Sequence, residues 1–470
     1  MPFIVATLLL AAAEMPETWV VKQGDTCDSI TRAVWGDPKR ITDLHKWNTL
    51  GPTPHHLAPG QVLRLRAPDQ APAGPDATLT FLRPAVRTRH LLDWNPATLG
   101  MGLFRLDEVN TLRRAGAALR FRDESTLVMD ENALVVIYGD VPVPKQPGGV
   151  SLVDGELRLA LSALRQKALA VATPAAQVET AAKTEGVVAV DGSQTSRVSI
   201  FDGSASVAAT GAKVNVPSNS GTRVRAGLAP EAVTVLPGTP VLAPETPRFV
   251  IWRGPGTAVD LRWAPSERAT RYRLQLARDE LFVDRVEDQM TGQPNARVLL
   301  TSEEPLRLRV IAFDERGLQS RPSKPHELGV VVVGSAPMQQ GIVRHRAPAP
   351  LDVKLPSGWT LQLQGKSAPL PLSLPVGRHV LTLVDGSGAT AGEVNVSVAP
   401  RPPTMKREAA EVIATFLDEV PEAQPPSLNG AVMRRRSTLV WSLPQPTPGP
   451  VELSWDSQPL VRAELADAGR

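Results

Sequence analysis

Histidine, cysteine and paired acidic side chains build most catalytic and metal sites, and this chain holds them in no usable pattern. Its 7 histidines are scattered at positions 45, 55, 56, 90, 326, 345 and 379. None falls in an HExxH or comparable ligand spacing, and a single cysteine, Cys27, excludes a CxxC pair. A GxSxG turn and a phosphate-binding glycine loop are also missing from the sequence. The sequence therefore predicts no catalytic residue, no cofactor and no metal site, and favours a protein that is not an enzyme.

Two features could still do chemistry, and each has an ordinary alternative. The His55-His56 pair could bind an adventitious metal ion, or it could be an exposed pair in a loop. Cys27 could be a reactive thiol, although a lone cysteine is more often a small packed apolar residue. Because there is only one cysteine, an internal disulfide is excluded.

Residues 18–66 predict a small module with the order strand, helix, helix, strand. A short apolar strand ends at Gly24-Asp25, where glycine supplies the backbone freedom that a tight turn needs. Apolar residues then recur at helical spacing in two short segments, and Gly36-Asp37-Pro38 separates them. A Pro/Gly-rich loop at 57–60 leads into a closing apolar strand.

This pattern resembles a LysM domain, through Val21, Gly24-Asp25-Thr26, Ile30, Asn48 and the segment 57–63. LysM domains bind glycans that contain N-acetylglucosamine, usually peptidoglycan or chitin, in a groove between the loop after the first strand and the loop before the last. Cys27, where an aliphatic residue is usual, and His55-His56, which lengthen the second loop, depart from the family pattern. The resemblance implies a set of glycan-binding residues on and beside the two loops: Gly24, Asp25, Thr26, Cys27, Ile30, Asn48, Thr49, Leu50, Leu57, Ala58, Pro59 and Gly60.

Such a groove suits an uncharged ligand. Backbone N–H and C=O groups on two turns can hydrogen-bond acetamido groups, while small apolar side chains contact the faces of the sugars. The alternative is a small α/β module that has lost sugar binding.

Length and composition predict a mostly β chain of several domains. At 470 residues the chain is too long for one core, and we expect three to five domains. The 45 prolines and 35 glycines indicate many turns and some linkers, and the predicted linkers lie at 67–77 and 237–247. A net charge of +3 does not require a nucleic-acid partner.

The first residues resemble a secretory signal peptide. A short apolar run is followed by Ala11-Ala12-Ala13, which predicts residues 1–13 as the signal and cleavage after Ala13. A basic residue is missing before Lys22, which a misassigned start codon would explain. No later stretch is long and apolar enough to predict a membrane span, so we expect a mature chain exported to the periplasm or cell envelope.

Residues 78–236 predict a β-rich domain with two hairpin turns, at Asp191-Gly192-Ser193 and Asp202-Gly203-Ser204. The segment 156–172 fits either a helix or a strand. Residues 101–125, Thr173-Pro174 and 201–207 give this region a resemblance to a FecR domain. FecR domains lie in the periplasm, and the best known relay a signal from an outer-membrane receptor to a sigma factor. That relay needs a cytoplasmic N-terminal part and a membrane-spanning helix, which this sequence does not predict, so only the domain is inferred.

The remaining residues predict immunoglobulin-like β modules. Alternating strands and an inward Trp263 make 248–328 similar to a fibronectin type III domain. The polar side of its strands is predicted to be a solvated face, with a polyanion-binding patch as the alternative. The arginines on that side are Arg271, Arg273, Arg307 and Arg309. Residues 351–400 resemble a small PEGA-type β module. Residues 401–470 predict an amphipathic helix over 406–420 and then a partial β module.

Three functions follow from these interpretations. The favoured one is a non-catalytic envelope protein that binds peptidoglycan through its LysM domain and presents its other modules to a protein partner or as spacers. The second is a periplasmic FecR-type signalling component that acts with a membrane sensor. The third is a wall-active hydrolase with an unrecognised site.

Overall fold

The computed structural model describes residues 18–48, 50, 56–65, 74–90, 93–139, 149–165, 167–334, 337–445 and 449–465. The predicted signal peptide and most of the first predicted linker lie outside these residues. The chain divides into two compact units, each built from several segments. The first runs to Pro244 and includes Leu261–Ala296 and Arg307–Pro325, and the second holds Glu245–Asp260, Arg297–Leu306 and the chain from His326.

The N-terminal module of the first unit, which we call the LysM-like module (18–65), has the predicted strand, helix, helix, strand order. Its elements are β1 (Thr18–Val20), α1 (Cys27–Trp35), a 3-10 turn (Pro38–Arg40), α2 (Ile41–Asn48) and β2 (Val62–Arg64), with β1 antiparallel to β2. Thr26 and Ser29 cap α1 reciprocally, and Gly36 ends it at φ 64°. Ile30 and Leu44, both fully buried, form the core with Leu63. The predicted βααβ order is confirmed.

Seventeen strands follow and form one domain, which we call the FecR-like domain. They are β3 (Ala77–Arg83), β4 (Val86–His90), β5 (Asp93–Pro96), β6 (Gly102–Leu103), β7 (Glu108–Thr111), β8 (Gly116–Phe121), β9 (Thr126–Met129), β10 (Leu134–Gly139), β11 (Gly149–Ala160), β12 (Leu169–Ala172), β13 (Gln177–Thr180), β14 (Glu185–Val190), β15 (Ser196–Asp202), β16 (Ser204–Ala209), β17 (Ala212–Pro217), β18 (Ser220–Val224) and β19 (Thr234–Val235). The undecided segment 156–172 is therefore strand at both ends.

Two sheets of this domain share strand β11. One sheet has the order β6-β3-β8-β9-β11-β14-β15-β18-β19, and the other has the order β5-β4-β7-β10-β11-β12-β13-β16-β17. The first half of β11 pairs with β10 and β12, whereas the half after Gly155 pairs with β9 and β14. Gly155 has φ +88°, and a Cβ there would lie 2.5 Å from the Cα of Ala133. Only glycine can therefore occupy the point at which the strand passes from one sheet to the other.

One of the two predicted hairpin turns is a different structure. The turn at Asp191-Gly192-Ser193 joins β14 to its antiparallel partner β15, as predicted. Asp202-Gly203-Ser204, in contrast, does not join paired strands, because β15 pairs with β14 and β18 while β16 pairs with β13 and β17. The hairpin prediction was wrong here. The segment is a corner at which the chain crosses between sheets, and turn composition alone does not distinguish the two cases.

The next strands are β20 (Phe249–Trp252), β21 (Thr257–Arg262), β22 (Arg271–Ala277), β23 (Arg285–Thr291), β24 (Asn295–Leu300), β25 (Leu306–Phe313) and β26 (His326–Val333). In the first unit β22 lies between β23 and β25, antiparallel to both. Trp263 is buried against Tyr272, with ring centroids 5.5 Å apart in an edge-to-face arrangement. This confirms the inward orientation predicted for the tryptophan.

Charged side chains are buried where these strands meet the FecR-like domain inside the first unit. We define the buried ion cluster as Asp130, Glu156, Arg158, Arg273, Arg285 and Arg309, with the exposed Asp288 at its edge. Arg285 Nη1 lies 2.8 Å and Arg273 Nη1 3.2 Å from Asp130 Oδ2, and Arg158 Nη2 lies 3.5 Å from Asp130 Oδ1. Arg273 also forms a bidentate pair with Asp288 at 2.6 and 2.7 Å. The predicted solvated face is therefore wrong for Arg273 and Arg309, because the FecR-like domain covers that side of the strands.

The second unit contains two further β assemblies. Its other strands are β27 (Met338–Gln339), β28 (Ile342–Arg346), β29 (Val353–Lys354), β30 (Thr360–Leu363), β31 (Lys366–Ser367), β32 (Gly377–Val384), β33 (Thr390–Ala399), β34 (Thr404–Glu408), β35 (Glu411–Thr415), β36 (Ser427–Leu428), β37 (Ala431–Val432), β38 (Arg434–Arg435), β39 (Val440–Pro444), β40 (Gly449–Trp455) and β41 (Gln458–Leu465). A sheet ordered β27-β28-β33-β32-β30-β31 packs against β20, β26 and β29. The last two four-stranded sheets enclose Trp441 and Trp455.

The amphipathic helix predicted over 406–420 is wrong. Strands β34 and β35 form an antiparallel hairpin there, with Ala409 at φ 52° in the turn. Val412 and Phe416 are buried, but Leu417, which the helical pattern places on the same stripe, is 66 % exposed. In β35 the consecutive residues Val412, Ile413 and Ala414 are all buried, so a short strand buries this apolar run without a helix. The predicted mostly β, multidomain fold class is nevertheless confirmed, and among the described residues no helix is long and apolar enough to cross a membrane.

Candidate functional site

The two loops predicted to form the glycan groove are neighbours in the LysM-like module. Val21 N donates to Gln61 O at 2.8 Å, and Gly60 N donates to Val21 O at 2.8 Å. This pair of bonds joins the start of the first loop to the end of the second. Gly24 and Gly60 both have positive φ, +91° and +88°, and both have open space beside the Cα. The glycines therefore let the two backbones turn beside each other without filling the space between them.

Polar side chains of the first loop hold its shape. Asp25 Oδ2 accepts hydrogen bonds from Lys22 N and from the indole Nε1 of Trp19, both at 2.8 Å. The bond from Lys22 N, followed by the bond from Trp19, lowers the pKa of the Asp25 carboxyl. The Thr26 side chain caps α1 by accepting a hydrogen bond from Ser29 N. This loop therefore presents to solvent the side chains of Lys22 and Gln23, its backbone at Gly24 and the exposed edge of Thr26.

Cys27 and Ile30 support the first loop from behind. Ile30 is fully buried in the core of the module, and Cys27 is half-buried at the edge of that core. Burial raises the pKa of the Cys27 thiol, which favours the packed apolar interpretation over the reactive one.

Asn48 connects the end of α2 to β2. Its Nδ2 donates to Leu44 O at 2.8 Å and to Arg64 O at 2.7 Å, and its Oδ1 accepts from Arg64 N at 2.5 Å. The Asn48 side-chain amide therefore forms its hydrogen bonds inside the module. Thr49 lies outside the described residues, and Leu50 is half-buried beside the module core.

We expect Asn48→Ala to destabilise the module by about 1 kcal/mol, because water can reach the groups it leaves unpaired. Amide exchange at Arg64 should become faster, which hydrogen exchange measured by NMR would detect. Lys46→Ala, on the exposed side of the same helix, is the matched control and should leave exchange at Arg64 unchanged. Equal protection of Arg64 in the Asn48 variant would contradict a clamping role.

The second loop is folded by Gln61, which the sequence analysis did not place among the glycan-binding residues. Gln61 Oε1 accepts from Ala58 N at 3.1 Å, and Gln61 N donates to Ala58 O at 2.9 Å. Ala58, Pro59 and Gly60 are exposed, whereas Leu57 is half-buried. Five of the predicted glycan-binding residues are therefore exposed on two loops that Val21 joins: Gly24, Thr26, Ala58, Pro59 and Gly60.

Trp19 was also missed. The sequence signal that could have identified it is a tryptophan within the first strand, six residues before a turn carboxylate. The described residues contain no group of three or more His, Cys, Asp or Glu side chains placed to hold a metal ion. Of the His55-His56 pair, only His56 lies among them, in an exposed position.

Comparison with known proteins finds one family. Residues 107–206 match the family model described as FecR protein, which confirms the FecR part of the resemblance over about a fifth of the chain. No curated protein matches the sequence.

Several solved structures are similar in fold alone. A putative anti-sigma factor from Parabacteroides distasonis ATCC 8503 shows 14% identity and a TM-score of 0.24, over 27% of this chain and 59% of that chain. The chain thus spans less than two thirds of that relative. The SGBP-B protein of a Bacteroides ovatus mixed-linkage glucan utilization locus shows 14% identity and a TM-score of 0.16, over 48% and 70%. The fibronectin(III)-like modules of Clostridium thermocellum CbhA show 10% identity and a TM-score of 0.16, over 34% and 93%.

Proposed function

We propose that this protein is a non-catalytic component of the bacterial cell envelope, or periplasm, that binds peptidoglycan or a related N-acetylglucosamine glycan through its LysM-like module. The FecR-like domain would then be presented to a protein partner of the envelope. The observation that carries this proposal is the pair of bonds between Val21 and residues 60 and 61, which sets two exposed glycine turns side by side.

The chemistry of this surface suits a neutral glycan. Its exposed parts include backbone groups and small side chains at Gly24, Ala58 and Gly60, with Lys22 and Gln23 exposed beside them. Its carboxylate, Asp25, is already held by Trp19 and Lys22 N. Backbone donors and acceptors in fixed orientation can recognise acetamido and hydroxyl groups without the desolvation cost of a free charge.

We expect Ala58→Trp to weaken binding to purified sacculi at least about tenfold, because an indole at this exposed loop position would occupy the space that the sugar needs. Thr42→Trp, on the exposed side of α2, is the matched control and should bind like the wild type. The measurement is co-sedimentation of the purified protein with sacculi across a range of concentrations, with folding checked by circular dichroism.

Equal sedimentation of all three proteins would contradict a groove at these loops. Release of soluble muropeptides into the supernatant would instead support the hydrolase hypothesis.

A second candidate function is a FecR-type signalling component that acts with a membrane sensor. The family match at 107–206 favours it. Cross-linking in cells, followed by purification of the tagged chain, should recover an integral membrane protein if this function is the correct one. Recovery that persists in the Ala58→Trp variant would separate the signalling contact from glycan binding.

A further inference from the structure

A second concavity lies between the LysM-like module and the FecR-like domain, within the first unit. Its volume is about 340 Å³, a size suited to a small ligand group. Trp19 and Val34 line it from the module, and Arg89, His90, Arg105 and Tyr138 line it from the FecR-like domain. We call it the junction cleft.

The side chains that line the junction cleft include more cationic than anionic groups when His90 is protonated. Arg89 Nη2 lies 2.6 and 2.7 Å from the two carboxylate oxygens of Glu108, and His90 Nδ1 contacts Asp107 Oδ1. Asp107 is fixed in turn, because its other oxygen accepts from Phe104 N at 2.8 Å. Arg105 adds a third cation, so among the residues that line the cleft three cationic groups lie beside two carboxylates. Outside this lining, the charges of Asp76 and Asp37 act on Arg105.

Protonation of His90 sets this balance. The hydrogen bond to Asp107 raises the pKa of His90, although burial opposes that change. Burial lowers the pKa of Arg105, although the nearby charges of Asp76 and Asp37 oppose that change. The charged and titratable groups that line the cleft with His90 are Arg89, Arg105, Asp107, Glu108 and the phenol of Tyr138, and Asp76, Asp37 and Arg40 lie close enough to act on Arg105.

One side chain connects the junction cleft to the proposed glycan groove. The Trp19 ring lines the cleft, and its indole N–H donates to Asp25, which belongs to the first loop of the groove. A ligand whose sugars lie in the groove therefore needs to extend past a single side chain to place a substituent in the cleft.

We propose that the junction cleft binds a carboxylate of the acidic peptide attached to the glycan in the groove. This inference rests on the proposed function, since the sugars bring the peptide to the cleft. Arginine and protonated histidine are the donors that carboxylates prefer, and Tyr138 adds a neutral hydroxyl. Trp19 supplies an apolar wall for the peptide stem.

The test is isothermal titration calorimetry of the full chain with three probes. These are the neutral N-acetylglucosamine tetramer, a disaccharide tetrapeptide muropeptide, and the same muropeptide with its carboxyl groups amidated. We expect the wild type to bind the acidic muropeptide about tenfold more tightly than the amidated one, as one added charge-assisted hydrogen bond would give. That ratio should fall as the pH rises through the pKa of His90, because the cleft then loses a positive charge.

Two arginines form a matched pair for this test. The Arg89 and Arg87 guanidinium groups both stack on Trp94, at 4.8 and 4.5 Å from the ring, but only Arg89 lines the cleft. Arg89→Gln should reduce the acidic-to-amidated ratio to about one, the value expected once the charge-assisted bond is lost. Arg87→Gln should keep the ratio, and neither variant should change binding of the tetramer.

The outcomes separate the two proposals. Equal affinity for the acidic and amidated probes, with the tetramer still bound, overturns the carboxylate site and leaves glycan binding intact. A preference for the acidic probe without binding of the tetramer supports the cleft and contradicts the groove. Binding of none of the probes overturns both, and equal loss in the Arg87 and Arg89 variants assigns the effect to Trp94 and overturns the cleft.

Discussion

Asp130→Asn is expected to lower the free energy of unfolding of the first unit by about 3 to 5 kcal/mol, the usual effect of removing one partner from a buried ion pair. Asp130 is 4 % exposed and lies near three guanidinium groups, those of Arg285, Arg273 and Arg158. Asparagine preserves its shape but leaves the arginines without the charge that offsets their burial. Urea unfolding followed by circular dichroism and tryptophan fluorescence would measure the change.

Two controls make this prediction specific. Glu179→Gln removes an exposed pair with Lys213, and we expect a change within about 0.5 kcal/mol. Glu156→Gln removes a buried carboxyl of the same cluster, but burial and the neighbouring Asp130 raise the pKa of Glu156. Its loss should therefore cost much less than the loss of Asp130. If Glu156→Gln proves as destabilising as Asp130→Asn, the conclusion that Asp130 carries the negative charge of the cluster is wrong.

The same two residues predict opposite dependences on pH. Although burial raises the pKa of Asp130, the guanidinium groups of Arg285, Arg273 and Arg158 hold it well below its usual value, so its contribution is lost as the pH falls. Glu156 has a raised pKa in the folded state, so the stability linked to its proton is lost as the pH rises above the unfolded value. In the Glu156→Gln variant, this loss of stability at rising pH should disappear.

Gly155→Ala is expected to destabilise the FecR-like domain by about 3 kcal/mol, from the combined cost of a left-handed backbone and of overpacking. The added Cβ would lie 2.5 Å from the Cα of Ala133, and that neighbour is backbone, which cannot rotate away. Because β11 belongs to both sheets, a shift at this point disturbs the pairing on both sides. Thermal and urea unfolding would report the loss.

Gly192→Ala is the matched control for this glycine. It lies in the hairpin turn between β14 and β15, and a Cβ there meets nothing within 4 Å. We expect a change within about 0.5 kcal/mol. A small loss of stability in the Gly155→Ala variant would show that β11 can bend at this point without a glycine.

Local signals predicted the LysM-like module well, because the residues that form each element are close in sequence. The Thr26 cap bonds to Ser29, three residues away, and Gly36 ends α1 through a bond to Arg32. Asn48 was harder, since its partner Arg64 is sixteen residues away and nothing near Asn48 in the sequence marks it as a clamp. Resemblance suggested a ligand contact, whereas the structure shows the amide bonded within the module.

Alternation along a strand predicts two faces but does not say what covers the second one. Arg273 and Arg309 alternate with apolar residues, as exposed residues do, yet Arg309 is 7 % exposed and its guanidinium lies 4.1 Å from the centre of the Phe282 ring. Asp130 and Glu156, whose carboxylates meet Arg273, come from the FecR-like domain, more than a hundred positions earlier in the chain. The sequence has no local signal for such a contact. The junction cleft could not be predicted for the same reason, because distant segments of the chain line it.

The long separation within the buried ion cluster also affects how the chain folds as it is made. Asp130 and Arg285 are 155 positions apart, so at ordinary synthesis rates the carboxylate emerges about 8 to 30 s before its partner. During that delay the carboxylate is hydrated, whereas an apolar surface of the same size would be prone to aggregate. A contact made of charges therefore suits a nascent chain whose two halves meet late.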